Sequence, residues 1–140
     1  MPNLNNLKLY TDGGSRGNPG PAAYGFVVYN PAGIILEKCG NYLGEATNNV
    51  AEYEGLISGL EWIILHHPRA KVEIFMDSLL IVNQIKGKFK VKNPGLLPKY
   101  LKAKELLARL PNFTISHTYR EQNTLADQLL NSALDKQFPL

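Results

Sequence analysis

The stretch LYTDGGSRGNPGPAAYGF, from Leu9 to Phe26, starts as an apolar strand and becomes rich in glycine and proline directly after Asp12. An aspartate before two glycines commonly starts a turn, because its side chain accepts hydrogen bonds from the backbone that follows. A second interpretation is chemical: Asp12 holds a ligand, and the glycines let another backbone come close. Acids elsewhere in the chain bear on this choice.

The pattern around this stretch predicts a meander of three antiparallel strands, followed by alternating helices and strands. The meander strands are Leu7–Thr11, Tyr24–Tyr29 and Ile34–Tyr42. Strands separated by a helix pair in parallel, so the order βββ-α-β-α-α-β-α predicts an α/β fold. Its five-stranded mixed sheet has three antiparallel and then two parallel strands, flanked by helices. The later elements are helix Asn49–His66, strand Val72–Asp77, helices Ser78–Ile85 and Leu97–Leu110, strand Phe113–Tyr119 and helix Asn123–Lys136.

Length and composition are typical of one globular domain, which we expect to span residues 1–140. The single cysteine, Cys39, has no second cysteine to pair with, which favours a reducing compartment. The N-terminus lacks the pattern of a signal peptide, and no stretch reaches the roughly 18–20 apolar residues of a membrane span. We therefore expect a cytoplasmic protein without a membrane partner. The absence of a long apolar heptad pattern predicts a monomer.

Charge is unevenly distributed along the chain, whose formal net charge is +3. Residues 86–104 contain no acid, and the rest of the chain carries eight Lys and Arg against all twelve Asp and Glu. Such a basic segment is either a solvated surface or a binding site for a polyanion such as nucleic acid. Its lysines are Lys86, Lys88, Lys90, Lys92, Lys99, Lys102 and Lys104.

Four acids fall at the boundaries of predicted elements, and an open mixed sheet brings such boundaries together at one crevice. They are Asp12, Glu52, Asp77 and Asp127. Clustered carboxylates repel each other, and hard divalent cations relieve that repulsion. Mg²⁺ needs only a few carboxylates together with water and substrate phosphate. Two such ions about 4 Å apart activate a water and stabilise the leaving oxygen of a phosphodiester.

These acids also have structural interpretations. Asn49 and Glu52 have the spacing of a capping box, with Asn49 as the N-cap. Asp77 precedes a serine suited to a helix cap, and Asp127 lies where a helix dipole favours an acid. Taken one at a time, no acid decides between the two roles. Two other chemistries lack their patterns, because the chain has no Walker sequence and no CxxC or HxxxH zinc motif.

Four segments, in this order along nearly the whole chain, resemble ribonuclease H type 1, in the short-loop branch without the long basic protrusion. They are TDGGSRGNPGPAAYGF from Thr11, TNNVAEYEGL from Thr47, FMDSLLIVNQI from Phe75 and YREQNTLADQLLN from Tyr119. The resemblance implies an endoribonuclease that hydrolyses the RNA strand of an RNA–DNA hybrid and leaves 5′-phosphate and 3′-hydroxyl ends. It also implies a single ribonuclease H domain, without a separate hybrid-binding domain.

The resemblance further implies catalysis with two Mg²⁺ or Mn²⁺ ions held by the same four acids. Asp12 would bridge both ions. Glu52 and Asp77 would complete one site, and Asp127 the other. The attacking water would come from the shell of one ion.

Substrate contacts follow from the same resemblance. The residues after Asp12 would let the RNA strand approach the backbone, and a threonine would hold a phosphate of the DNA strand. Asparagine amides donate and accept hydrogen bonds, so they suit the minor groove, where 2′-hydroxyls distinguish RNA from DNA. Lysines would bind the backbone in a salt-sensitive manner. The residues concerned are Gly13, Gly14, Ser15, Asn18, Thr47, Asn48, Asn49, Lys86, Lys88, Lys90 and Lys92.

Two single positions depart from the family pattern. Leu79 stands where many members carry a glutamine that contacts the minor groove. The family's mobile loop histidine is also missing. Arg120 is the candidate to replace it and would assist the leaving group or product release, with His117 as the alternative.

Three other functions stay open. A relaxed nuclease of the same fold would also cut double-stranded RNA, whose A-form geometry resembles that of the hybrid. A non-catalytic nucleic-acid-binding module would have no reason to keep four repelling carboxylates. A structural or interaction domain would need neither the glycine segment nor the asparagines.

Overall fold

A computed structural model describes residues 6–138. It confirms the predicted order of helices and strands. The strands are β1 (Asn6–Ser15), β2 (Gly20–Tyr29), β3 (Ile35–Ala46), β4 (Lys71–Met76) and β5 (Asn112–His117). The helices are α1 (Asn48–His66), α2 (Leu79–Ile85), α3 (Leu97–Ala108) and α4 (Thr124–Gln137), and a 3₁₀ turn, Arg120–Gln122, precedes α4.

The five strands form one mixed sheet in the order β3-β2-β1-β4-β5. β2 pairs antiparallel with both β1 and β3, whereas β4 pairs parallel with both β1 and β5. This confirms the predicted sheet of three antiparallel and two parallel strands. Within residues 6–138, no helix is long and apolar enough to cross a membrane.

Helices α1 and α4 cover opposite faces of the sheet, as two neighbouring residues of β2 show. A Cβ added to Gly55 of α1 would lie 3.2 Å from the Cβ of Tyr24, so Tyr24 faces α1. A Cβ on Gly25 would overlap the carbonyl oxygen of Ala126, so Gly25 faces α4. The larger core lies on the α1 side, and a smaller one lies under α4. The larger core includes Leu7, Leu9, Leu56, Leu60, Ile74 and Met76, and the smaller one consists of Ala23, Leu130, Ala133 and Leu134.

The glycine-rich stretch is strand as far as Ser15 and a turn only at residues 16–19, which corrects the predicted end of the first strand at Thr11. β1 continues through the glycines to Ser15 and pairs with Ala22 to Tyr24 of β2. Asp12 therefore lies inside β1 and not at its end. Glycine is needed because a Cβ at Gly13 would overlap the backbone of Ala51 in α1. Close packing of a helix, rather than a turn, explains this glycine.

The predicted capping box at the start of α1 is wrong. Thr47 is the N-cap, and its Oγ1 accepts a hydrogen bond from the N–H of Val50 at 3.2 Å. Asn49 lies inside the helix. Glu52 accepts a hydrogen bond through Oε1 from the N–H of Gly13 in β1, at 2.6 Å. The Glu52 carboxylate therefore bonds to β1 and not to the start of its own helix, because α1 packs directly against the strand.

The remaining boundaries differ from the predictions by a few residues. β2 begins earlier than predicted, at Gly20, and β3 extends to Ala46 because the two strands pair as far as these residues. β5 ends at His117, and α4 begins at Thr124 rather than at Asn123. The 3₁₀ turn therefore lies between β5 and α4.

Candidate functional site

Three of the four acids lie together at one end of the sheet. Asp12, Glu52 and Asp77 each offer a carboxylate oxygen, and these oxygens all lie within 4.8 Å of one another. Parallel pairing of β1 with β4 ends at Thr11 and Met76, which places the next residue of each chain segment, Asp12 and Asp77, side by side. Helix α1 brings Glu52 to them. The topology thus gathers residues that are far apart in the sequence.

Asp127 lies in the first turns of α4 and lines the same cavity as the other acids, but it is not part of the group of three. Its side chain is 29% exposed, more than those of Asp12 and Glu52. Close packing of α4 on β2 brings it to the cavity, because Gly25, the residue paired with Asp12, leaves room for the backbone of Ala126.

The electrostatics of this site disfavour charged carboxylates. Burial raises the pKa of Asp12 from 3.8 to about 7, the negative charges of Asp77 and Asp127 add to the rise, and the hydrogen bond with Glu52 opposes it. Burial also raises the pKa of Glu52 well above its ordinary value, and the neighbouring Asp12 contributes. Ionising both groups at neutral pH therefore costs free energy unless positive charge is present.

The donor atoms fit a hard divalent cation. Glu52 Oε2 is buried and has no hydrogen-bond partner within residues 6–138, whereas Oε1 accepts a hydrogen bond from Gly13 N–H. Asp12 accepts a hydrogen bond through Oδ1 from the same N–H at 2.9 Å. Carboxylate oxygens are the ligands that Mg²⁺ and Mn²⁺ prefer. A cation would satisfy the unpaired oxygen and offset the repulsion among the acids.

The acids line a cavity of about 520 Å³ that is open to solvent. Of the residues predicted to contact substrate, five lie on its wall and six do not. Gly13, Gly14, Ser15, Asn48 and Asn49 line the cavity. Asn18, Thr47, Lys86, Lys88, Lys90 and Lys92 lie outside it.

Asn18 and Thr47 hold the start of α1 in place. Asn18 Oδ1 accepts a hydrogen bond from the N–H of Asn48 at 3.0 Å, and Thr47 caps the helix. Asn48 Oδ1 in turn accepts a hydrogen bond from the N–H of Ser15 at 2.8 Å. These contacts connect the β1–β2 hairpin to α1, next to the cavity wall.

The predicted basic residues are exposed on the segment between α2 and α3. Within the part of the chain that the structure describes, none of Lys86, Lys88, Lys90 and Lys92 has a carboxylate oxygen within 4 Å. Lys99 and Lys102, further along, contact Glu54 and Glu105. Residues 86–92 therefore carry four lysines without a carboxylate partner among the described residues.

Arg120 and His117, the two candidates to replace the family's histidine, both line the cavity. Arg120 Nη2 lies 4.0 Å from Asp127 Oδ1, and the arginine side chain is 81% exposed, so this ion pair is weak. Because both side chains line the same cavity as Asp127, their positions do not decide between Arg120 and His117.

Several cavity residues were missed from the sequence. Asn131 lies one helical turn after Asp127 and donates a hydrogen bond through Nδ2 to the Asp127 carbonyl oxygen at 3.0 Å. Its spacing of four residues from Asp127 was a usable signal. Arg16, Ser78 and Tyr119 also line the cavity, and no sequence pattern distinguished them.

Comparison with known proteins gives a consistent result. A family model described as reverse transcriptase-like matches residues 10–133. A bifunctional protein of Mycobacterium tuberculosis is 44% identical over 128 residues, which is 91% of this chain and 35% of that protein. Ribonuclease HI of Halobacterium salinarum is 42% identical over 129 residues, which is 92% of this chain and 64% of that protein. The chain thus spans less than two thirds of the length of these curated relatives.

Solved structures match over nearly the whole chain. RNase H1 from the halophilic archaeon Halobacterium salinarum has a TM-score of 0.90 and 40% identity, covering 94% of this chain and 98% of that one. LC11-RNase H1, solved in complex with an RNA/DNA hybrid, has a TM-score of 0.89 and 45% identity, with the same coverage. The fold and much of the sequence are therefore shared with these proteins.

Proposed function

Since the chain belongs to the type 1 ribonuclease H family, we propose that it is an endoribonuclease that hydrolyses the RNA strand of RNA–DNA hybrids. The observation that carries the proposal is the group of three acids beside an open backbone segment of β1. The hybrid bound in the LC11-RNase H1 structure supports this class of substrate.

We assign Asp12, Glu52 and Asp77 to one divalent cation, and Asp127 together with Asp12 to a second, either Mg²⁺ or Mn²⁺. When bound, such ions supply an activated water and neutralise the leaving oxygen of a phosphodiester, giving 5′-phosphate and 3′-hydroxyl ends. The raised pKa of Asp12 and the unpaired Oε2 of Glu52 support the assignment, because both need a nearby positive charge.

The chain's own residues would bring the RNA strand to the acids. Gly14 lines the cavity without a side chain, and a Cβ there would lie 3.8 Å from Asn48 Oδ1 and from Leu130 Cδ1. Ser15 and Asn48 form the adjoining wall and present hydroxyl and amide groups. We assign these groups, with Asn49, to 2′-hydroxyls of the RNA, which accept and donate hydrogen bonds.

Arg120 would act on the leaving side of the reaction. A guanidinium is positively charged and carries only hydrogen-bond donors, and that of Arg120 lies beside Asp127 at the cavity wall. It would therefore stabilise negative charge or assist product release. The exposed lysines at residues 86–92 would hold the nucleic-acid backbone outside the cavity.

A relaxed nuclease that also cuts double-stranded RNA is the second candidate. Leu79, which stands in place of the family's glutamine, is 54% exposed and lies outside the cavity wall. An apolar side chain supplies no hydrogen bond to a base edge, so one means of discrimination is missing. We expect the protein to act as a monomeric cytoplasmic domain in either case.

A cleavage assay separates these functions. One labelled RNA strand is presented paired to DNA, paired to RNA and single, with Mg²⁺ or Mn²⁺, and Asp12→Asn serves as the control. Cleavage of the hybrid alone, lost in the control, is the expected result. Comparable cleavage of the RNA duplex would identify the relaxed nuclease. No cleavage with either ion would refute the enzymatic proposal.

A further inference from the structure

Asn123 connects the strand that carries Asp12 to the helix that carries Asp127. Its side-chain Nδ2 donates a hydrogen bond to the carbonyl oxygen of Thr11 at 2.8 Å. Both residues are buried, with Asn123 2% and Thr11 0% exposed. Thr11 is the last residue of β1 that pairs with β4 and directly precedes Asp12. The amide thus contacts β1 at the point where its parallel pairing ends.

The same residue begins α4. The Asn123 carbonyl oxygen accepts a hydrogen bond from the N–H of Asp127 at 3.1 Å. Asn123 occupies the N-cap position, where an asparagine side chain usually accepts a hydrogen bond from the first helical turn. Here it makes no such bond. The side chain is used for β1 instead of for the helix end.

This use of the side chain leaves a buried acceptor unsatisfied. Asn123 Oδ1 has no hydrogen-bond partner among the described residues. A buried unpaired acceptor destabilises a fold, and an uncapped helix end adds to that cost. The asparagine is therefore poorly suited to stabilising α4 alone, and its one side-chain hydrogen bond points to β1.

Asp127 needs such a connection more than the other acids do. Asp12, Glu52 and Asp77 are grouped by strand pairing and by the packing of α1 on β1. Asp127 reaches the cavity only through the position of α4, which packs on β2 near Gly25. A shift of the first turn of α4 would move Asp127 relative to Asp12.

We propose that Asn123 is a positioning residue that sets the place of Asp127 relative to Asp12, and thereby the affinity of the cation site that includes Asp127. The proposal rests on the proposed function, because it concerns the cations of that site. Its central test does not require cleavage, so failure of one proposal is distinguishable from failure of the other.

The test is a double-mutant cycle read by calorimetric titration of the protein with Mn²⁺. Asn123→Ala removes the amide, and Asn123→Leu keeps a similar size but has no donor for Thr11. Each is made alone and with Asp127→Asn. Gln128→Ala, an exposed change on the same helix, is the matched control, and circular dichroism checks folding.

We expect both Asn123 variants to weaken Mn²⁺ binding by about tenfold in the wild-type background and to have no further effect in the Asp127→Asn background, because coupled residues are not additive. On hybrid, kcat should fall by a similar factor with KM within about twofold. Equal weakening in both backgrounds, or unchanged Mn²⁺ binding in a folded variant, would overturn the proposal.

Discussion

Replacing Asp12 with asparagine should abolish cleavage and, in metal-free buffer at neutral pH, stabilise the protein. The carboxylate is buried beside Glu52 and near Asp77 and Asp127, and burial is the main cause of its raised pKa. Asn has nearly the same shape, and its Oδ1 still accepts the hydrogen bond from Gly13 N–H. The substitution therefore removes a charge and little else.

The magnitude follows from the pKa of Asp12, which burial raises from 3.8 to about 7 in the folded protein. Since a tenfold change in proton affinity corresponds to ~1.36 kcal/mol, this difference corresponds to roughly 4 kcal/mol. Because the pKa is higher in the folded protein, protonation of Asp12 stabilises the wild-type fold. This contribution is complete below pH 3.8 and is lost as the pH rises to about 7. The neighbouring Glu52 titrates in the same field, so we expect a gain of about 2–4 kcal/mol, or roughly 5–15 °C in Tm.

The assay is urea unfolding in EDTA at pH 4, 5.5, 7 and 8, for the wild type, Asp12→Asn and the control Glu121→Gln, which removes an exposed acid. The difference in free energy of unfolding between Asp12→Asn and wild type should increase from pH 4 to pH 8. Mg²⁺ should decrease this difference by stabilising the wild type. A variant that is no more stable than wild type at pH 8 would refute this account of the buried charge.

Three further predictions concern single contacts. Gly13→Ala should lower the free energy of unfolding by about 3 kcal/mol or more, because the added Cβ would overlap the backbone of α1. Gly14→Ala should change it by less than about 1 kcal/mol, because its Cβ would lie 3.8 Å from the nearest atom, an ordinary van der Waals contact. Urea unfolding of both variants checks this. Arg120→Ala should lower kcat on hybrid without abolishing cleavage, and an unchanged kcat would remove Arg120 from the mechanism. Tyr53→Phe should cost about 1–3 kcal/mol, because it leaves the buried Gln84 Oε1 without the donor that now lies at 2.7 Å; equal unfolding midpoints for variant and wild type would contradict this.

Much of the fold was predictable because its signals are local. Alternation of period two and helical spacing of apolar residues depend on neighbours in the chain, and they predicted every strand and every α-helix in order. The boundaries were less predictable where pairing partners decide them. Gly13, Gly14 and Ser15 have no strand signal of their own, yet they pair with β2 because that strand continues opposite them.

The sequence by itself determined the element order, the four acids as residues at predicted boundaries and, through its motifs, the family resemblance. It did not show which acids meet. Only the tertiary structure placed Asp12, Glu52 and Asp77 within 4.8 Å of one another, with Asp127 outside that group on the wall of the same cavity. It also showed that Thr47 caps α1 and lies outside the cavity, whereas the next residue, Asn48, lines it. The reason is physical: burial, pKa and ligand geometry arise from residues that are distant in the chain and are brought together only by packing.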